Sequence, residues 1–416
     1  MRGAKMADGG ETERFGRRRE DVIHAASALI NELGVKGTTF AGLARSVGLN
    51  ATSITYYFDR KDKLVAAVYA ATLDWLEAAA REAAAKPLPE DRLRAFIAAH
   101  VALRRRIRAG EKGLITALSE IRTLDEEAQA PLLDQYARVV AHVRGIFGDA
   151  RSGARRALDT ARAHVLLEAM FWWPVWSLRY STKDFDRLEA RIFDVLAHGL
   201  AAQPGEWGPL PLDSADWRSE DGKAETGDAF LRSATVMINQ RGYRGASVNR
   251  IASALGVTKG SFYHHHNAKD DLVSECFQKS YDRLSAVQLA ARDTRASGWG
   301  QIASALAELI DLQFRDPMPL LRTTALQALP AGERGGVVLR SNRLANRFAG
   351  MIADGIADGS VRAVDPMVAS QLIMPALNGA YEARAWAARQ PDAQAAVRLY
   401  AWTFAAGVFS DPPGFG

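Results

Sequence analysis

The sequence repeats itself at one fixed interval. Gly34 and Gly242 lie 208 residues apart, and the same offset brings Gly37 onto Gly245, Ala44 onto Ala252, Gly48 onto Gly256 and Ser53 onto Ser261. It continues with Lys61-Asp62 onto Lys269-Asp270 and Leu64-Val65 onto Leu272-Val273, and upstream with Ala26, Ile30 and Asn31 onto Ala234, Ile238 and Asn239. Alanine-rich helices coincide here and there by chance, but not with glycines and a Lys-Asp pair held in one register. A chain of 416 residues has material for two to four domains, and the repeat makes them two copies of one module.

Nearly all of it reads as helix. Val22, Ala25, Ala26, Leu29, Ile30 and Leu33 form an apolar stripe at helical spacing, and Phe230, Ala234, Met237 and Ile238 form its copy. No alternation of strands and helices is present, so the expected fold class is all-α, as two units that each carry an N-terminal three-helix head and a C-terminal helical bundle. Residues 201–222 gather Pro204, Gly205, Gly208, Pro209 and Pro211 and then turn acidic, which reads as a linker. The expected layout is a flexible tail 1–15, a head 16–76, a bundle 77–202, a linker 203–223, a second head 224–284 and a second bundle 285–416.

Within each head the residues spell two short helices around a tight turn. Thr39 caps the first, Leu43, Ala44 and Val47 form its buried side, and Gly48 supplies the positive φ that the turn needs. Asn50 caps the next helix, Ala51 to Phe58. The second copy reads Ser247, Ile251, Ala252, Leu255, Gly256 and then Thr258, capping Lys259 to His266. Two short helices joined through a glycine make a helix-turn-helix, whose second helix enters the major groove of DNA.

Residues 247–272, SVNRIASALGVTKGSFYHHHNAKDDL, resemble the helix-turn-helix of the TetR/AcrR family of regulators, and residues 39–64, TFAGLARSVGLNATSITYYFDRKDKL, resemble it too. Thr52 and Thr55 stand where the family pattern has Gly and Tyr, and His266 where it has Phe. The resemblance implies a DNA-binding transcriptional regulator, usually a repressor released when a small molecule enters the bundle. It implies that Thr39, Asn50, Ala51, Thr52, Tyr56, Tyr57 and Lys61 face DNA in the first head. In the second, the matching residues are Ser247, Thr258, Lys259, Gly260, Tyr263, His264, His265 and Lys269. Hydroxyls, amides and cations are the groups that bond phosphates and base edges. The alternative is a sensor or interaction protein of the same fold with one or both heads no longer binding DNA.

Net charge is +5, which permits a nucleic-acid partner without demanding one. Residues 17–67 hold eight basic and five acidic side chains and 225–275 hold six and five, so the first head is the more cationic. The Arg17–Arg19 run is either a phosphate clamp or a solvated helix start. Three consecutive histidines, His264 to His266, point about 100° apart on a helix and do not converge on a metal. No P-loop, nucleophile elbow or metal-spaced set is present, so neither an enzyme nor a cofactor is expected. Trp172, Trp173 and Trp176 surround Pro174, and Tyr381 and Trp386 raise the same question in the second half. They wall an effector pocket or fill a core. A single cysteine, an N-terminus without an apolar segment and the lack of any long uncharged apolar run lead to a cytoplasmic expectation with no membrane partner. The two bundles are expected to pair with each other as an internal pseudo-dimer, or whole chains to pair as a homodimer.

Overall fold

In the computed structural model, the structure describes residues 5–111, 113, 115, 116, 118, 121, 124–149, 153–203, 207–213, 226–265, 268–329 and 331–415. The architecture is all-α. Among the described residues no strand forms, and an isolated antiparallel bridge joins Ala201 to Val361. No helix among them is long and apolar enough to cross a membrane. The chain divides into two compact units, one of residues 1–79 and 105–139 and one of residues 80–104 and 140–416.

The first unit carries α1 (Lys5–Gly37), α2 (Phe40–Ser46), α3 (Ala51–Tyr57) and most of α4 (Lys61–Ala84). Val22, Ala26, Ile30, Leu43, Ile54, Leu64 and Val68 are buried together and form its core. Val22, Ala26 and Ile30 fall on the stripe that helical periodicity assigns to the interior, whereas Leu33 at its end is exposed. Residues 5–15, expected as a tail, belong to α1 instead; they contain no proline, and the helix runs through the unfavourable Gly9-Gly10 pair. Farther along, Thr72 Oγ1 accepts from the Thr116 amide at 3.0 Å and Asn31 Nδ2 donates to the Ile115 carbonyl at 2.8 Å. Gln135 Nε2 donates to Asp74 at 2.7 Å. These bonds hold the 105–139 segment to the head and to α4.

The second unit holds most of α5 (Pro89–Arg108), the end of α6 (Glu126–Gly145), α7 (Gly153–Trp176) and α8 (Phe185–His198). It also holds the whole second half: α9 (Thr226–Gly245), α10 (Val248–Ala254), α11 (Lys259–His265), α12 (Lys269–Arg292), α13 (Gly298–Arg315), α14 (Ala331–Ala357), α15 (Pro366–Gly379), α16 (Arg384–Ala387) and α17 (Ala393–Ala406). The repeat is visible in the elements. α2 and α10, α3 and α11, α4 and α12, and α8 and α17 begin and end at equivalent positions of the two copies.

Helices of the two halves meet inside this unit, α7 and α8 packing on α15 and α17. Trp173, Leu188, Ile192, Leu196, Leu372, Ala376, Tyr400 and Phe404 are all buried. The backbone repeats the meeting in both directions. The Leu200 amide donates to the Phe404 carbonyl at 2.8 Å, and the Val408 amide donates to the Leu196 carbonyl at 2.8 Å. Each bond is the other carried over to the second copy of the repeat.

The chain returns along α7 after α17. Arg162 is fully buried and pairs with Asp159 at 2.8 Å and Asp411 at 3.0 Å, and donates to the Ser410 carbonyl at 2.5 Å. Arg155 bonds the same two carboxylates at 3.2 and 2.5 Å. Trp402 Nε1 donates to the Ser410 carbonyl at 2.8 Å.

Candidate nucleic-acid interface

In the first head, Thr39 accepts from the Gly42 amide at 3.0 Å, and Asn50 Oδ1 accepts from the Ser53 amide at 2.7 Å and the Ser53 hydroxyl at 2.9 Å. Both caps start their helices where the sequence places them. Gly48 has φ 66, and the Leu49 amide then reaches back to the Ala44 carbonyl at 2.8 Å, closing the turn between α2 and α3. Ile54 is wholly buried, which fixes the roll of α3. The opposite side, with Ala51, Thr52 and Tyr56, is exposed, and Tyr56 is 75% exposed.

Phe15 joins that side, which sequence reasoning missed by placing it in a tail. Its ring lies 4.9 Å from Tyr57 and 5.6 Å from Tyr56, and the two tyrosines are 5.4 Å apart, a triangle of rings on the outside of the head. Of the arginine run, Arg17 and Arg18 are exposed, while the Arg19 guanidinium sits 5.0 Å from the Phe58 ring centre and braces the fold. Lys61 is half-buried at the start of α4.

The second head repeats the geometry with different side chains. Ser247 accepts from the Arg250 amide and Thr258 from the Ser261 amide, each at 3.3 Å. Gly256 has φ 68, and the Val257 amide reaches the Ala252 carbonyl at 3.0 Å. Phe262 takes the place of Ile54 and is wholly buried against Phe230, with ring centres 5.7 Å apart. Lys259, Gly260, Tyr263 and His264 are exposed. A Cβ on Gly260 would meet nothing nearer than Thr258 Oγ1 at 3.5 Å, so the chain itself does not require glycine there. The Lys259 ammonium lies 5.8 Å from the Tyr263 ring centre. The side chains of His265 and His266 lie outside the described residues, and among those described no group of side chains could hold a metal.

Lys269 sits differently from its neighbours. Its ammonium donates to the Tyr243 carbonyl and lies 3.5 Å from the Tyr243 ring centre. The Tyr243 hydroxyl donates to Asp270, and burial together with that carboxylate pushes its pKa above the usual phenol range. Lys269 thus locks the start of α12 to the end of α9. Tyr243 has Val35 as its counterpart, so the first head lacks this ring.

The aromatic candidates separate. Trp173 and Trp176 are buried, edge to face at 4.9 Å, and Trp173 also meets Phe185 at 5.1 Å. Trp172 is half-buried against Phe171. Tyr381 is buried beneath Arg384, whose guanidinium is 5.2 Å from the ring centre. Trp386 alone of the five lines the cavity of about 820 Å³ formed among described residues beside α7 and α17.

The family model described as bacterial regulatory proteins, tetR family, matches twice, at residues 22–68 and 230–276, again at equivalent positions of the two copies. Both heads thus carry the TetR-family unit, which is present twice in the chain. The chain is 26% identical over 127 residues to the TetC protein of transposon Tn10 from Escherichia coli, covering 28% of this chain and 64% of TetC. It is 26% identical over 139 residues to the transcriptional repressor KstR2 of Mycolicibacterium smegmatis, covering 32% and 67%. To the transcriptional regulator BetI of Burkholderia mallei it is 36% identical over 85 residues, covering 20% and 44%. The chain therefore spans less than two thirds of TetC and less than half of BetI. Among solved structures it is similar to the ketosteroid regulator KstR2 of Mycobacterium tuberculosis, with TM-score 0.38 and 20% identity over 46% of this chain and 98% of that one. It is also similar to AibR in complex with isovaleryl coenzyme A and operator DNA, with TM-score 0.35 and 20% identity over 43% and 97%.

Proposed function

We propose that this chain, with its two TetR-family units, is a DNA-binding transcriptional regulator, a repressor relieved by a small-molecule effector. The observation that carries the reading is the way α3 and α11 are set. Each buries one residue completely, Ile54 or Phe262, and so turns a capped, exposed N-terminal end outward. The exposed groups are those that hydrogen-bond phosphates and base edges. The residues proposed to face DNA are Thr39, Asn50, Ala51, Thr52, Tyr56, Tyr57 and Lys61 in one head. In the other they are Ser247, Thr258, Lys259, Gly260, Tyr263, His264 and His265.

The two recognition helices differ at nearly every outward position, and unlike side chains read unlike base edges. With α7 and α8 packed on α15 and α17 inside one chain, we propose an internal pseudo-dimer: one chain occupies one operator of two unlike half-sites. The test is selection of bound fragments from genomic DNA, followed by footprinting and light scattering on the complex. The expected result is two dissimilar half-sites under one chain, with affinity that falls steeply as salt rises. Two chains on a perfect palindrome overturn the pseudo-dimer, and absence of any selected fragment overturns the regulator.

A second reading keeps the first head as the DNA contact and the second as a sensor or interaction module. It is favoured by Lys269, whose ammonium is engaged by Tyr243. Substitutions confined to α11 that leave DNA affinity unchanged support it.

A further inference from the structure

The cavity beside α7 and α17 carries a charge pattern that the chain does not balance. Arg144, Arg156, Arg389 and Arg398 line it, and among the described residues no aspartate or glutamate does. Arg144, Arg156 and Arg389 form no ion pair with a described residue. Burial and the neighbouring Arg156 both depress the Arg144 pKa, against a weaker opposing pull from Asp159. The nearby carboxylates are already committed, because Arg155 and Arg162 hold Asp159 and Asp411. α7 has no acidic residue in its first turn, so its positive end adds to the same field.

The apolar part of the wall is preset. Trp386 Nε1 donates to the Ala157 carbonyl at 3.0 Å, fixing the ring, and Arg398 donates to the Pro413 carbonyl at 2.9 Å, tying the 412–415 segment to α17. Leu399, Pro412 and Phe415 complete an apolar side. The volume, about 820 Å³, is that of a site for a drug-sized molecule. The duplication has not preserved the cations: the residues equivalent to Arg144, Arg156, Arg389 and Arg398 in the other copy are Ile352, Val364, Ser181 and Ala190. Three arginines without an ion pair, and a fourth bonded only to a carbonyl, concentrate positive charge around one hollow.

We propose that this cavity binds one amphipathic organic anion per chain, a carboxylate or phosphate ester carried on an aromatic or aliphatic body. The planar guanidinium groups take the anionic end in paired hydrogen bonds. Trp386, Leu399 and Phe415 take the body. As the effector site the cavity rests on the regulator reading above; as an anion site it stands without it.

Calorimetric titration of the full chain with 1-naphthyl phosphate, 1-naphthoate and uncharged 1-naphthol tests the proposal. At least one of the two anions binds with a stoichiometry of one, and naphthol binds about tenfold more weakly or worse. Preference between the anions assigns phosphate ester or carboxylate. Arg156→Gln and Arg389→Gln, both at exposed positions, each weaken the anion by about tenfold. Ala154→Phe, which fills the cavity from its exposed rim, removes binding even if an arginine variant melts lower. Lys259→Ala on the second head leaves it unchanged. Failure of both anions to saturate at millimolar concentration, equal binding of naphthol, or wild-type binding by Ala154→Phe overturns the site. A chain that takes the anion but no DNA keeps the site and removes the regulator.

Discussion

Gly199 and Gly407, equivalent positions of the two copies, each end a helix at positive φ, and each lies against the backbone of the helix that the other ends. Gly199 has φ 71 and closes α8; a Cβ there would stand 2.6 Å from the Ala405 carbonyl oxygen. Gly407 has φ 81 and closes α17; a Cβ there would stand 2.1 Å from the Ala197 carbonyl oxygen. The two residues serve one contact seen from its two sides.

That reciprocity makes a quantitative expectation. Gly199→Ala and Gly407→Ala should each cost about 3 kcal/mol, from a backbone conformation nearly confined to glycine plus a clash with main chain that no rotamer relieves. Gly359→Ala is the control. It has φ 80 but nothing within 4 Å of the added carbon, so strain alone remains, about 1 kcal/mol. Urea midpoints of the three variants decide the matter. Similar losses at all three positions would remove the close approach as the cause.

Arg162 is the next point of leverage. It has no exposure and neutralises Asp159, which has none either. Arg162→Met should leave that carboxylate buried beside Arg155 alone and lower stability by about 3–5 kcal/mol. It should also loosen residues 410–415, because the Ser410 and Asp411 contacts go with it. Carboxypeptidase trimming of the native protein, faster in the variant, reports the loosening separately from global melting.

His100 gives a pH dependence. Burial lowers its pKa to about 4, while its Nδ1 lies 2.9 Å from the Phe96 carbonyl oxygen. The unfolded chain takes up this proton near pH 6.5 and the folded chain does not until about pH 4. Stability attributable to keeping His100 neutral is therefore complete above about pH 6.5 and lost as pH falls toward 4, by about 3 kcal/mol at the end of that window. His100→Gln should flatten unfolding curves between pH 7 and 4.5. A variant that keeps the wild-type pH slope shows that other groups set it.

The two lysines of the second head should behave differently. Lys259 is exposed at the start of α11, so Lys259→Ala should weaken DNA binding and reduce the salt slope by about one. Lys269 is engaged by Tyr243, so Lys269→Ala should lower the melting temperature and leave the slope as it is. A reduced slope in Lys269→Ala would put its ammonium on phosphate instead. Anisotropy titrations across a range of salt concentrations measure both.

Much of each head is legible in sequence because its determinants are local. Thr39, Asn50, Ser247 and Thr258 cap helices within three residues of themselves, and Gly48 and Gly256 turn the chain wherever they occur. Lys269 reads in sequence as a DNA-facing cation because the ring that holds it is 26 residues away and absent from the first copy. Phe15 reads as tail because nothing in its neighbours marks the start of a helix. The cavity lies beyond reach altogether: Arg156 and Arg398 are brought together by the packing of α7 on α17, two helices whose sequences give no hint of each other. Trp173 and Trp176 show the converse, since an aromatic cluster reads the same whether it walls a hollow or fills one.

A contact closed between Leu200 and Phe404 within a single polypeptide has no dissociation constant. Its partners stay at a fixed, high effective concentration however dilute the protein becomes. Occupancy of any bound ligand should then follow the first power of chain concentration, with no threshold set by subunit association. Each half is also released from having to match a copy of itself, so a substitution in one head changes one head only. Such a chain is free to acquire two different surfaces where two identical subunits are obliged to carry the same one.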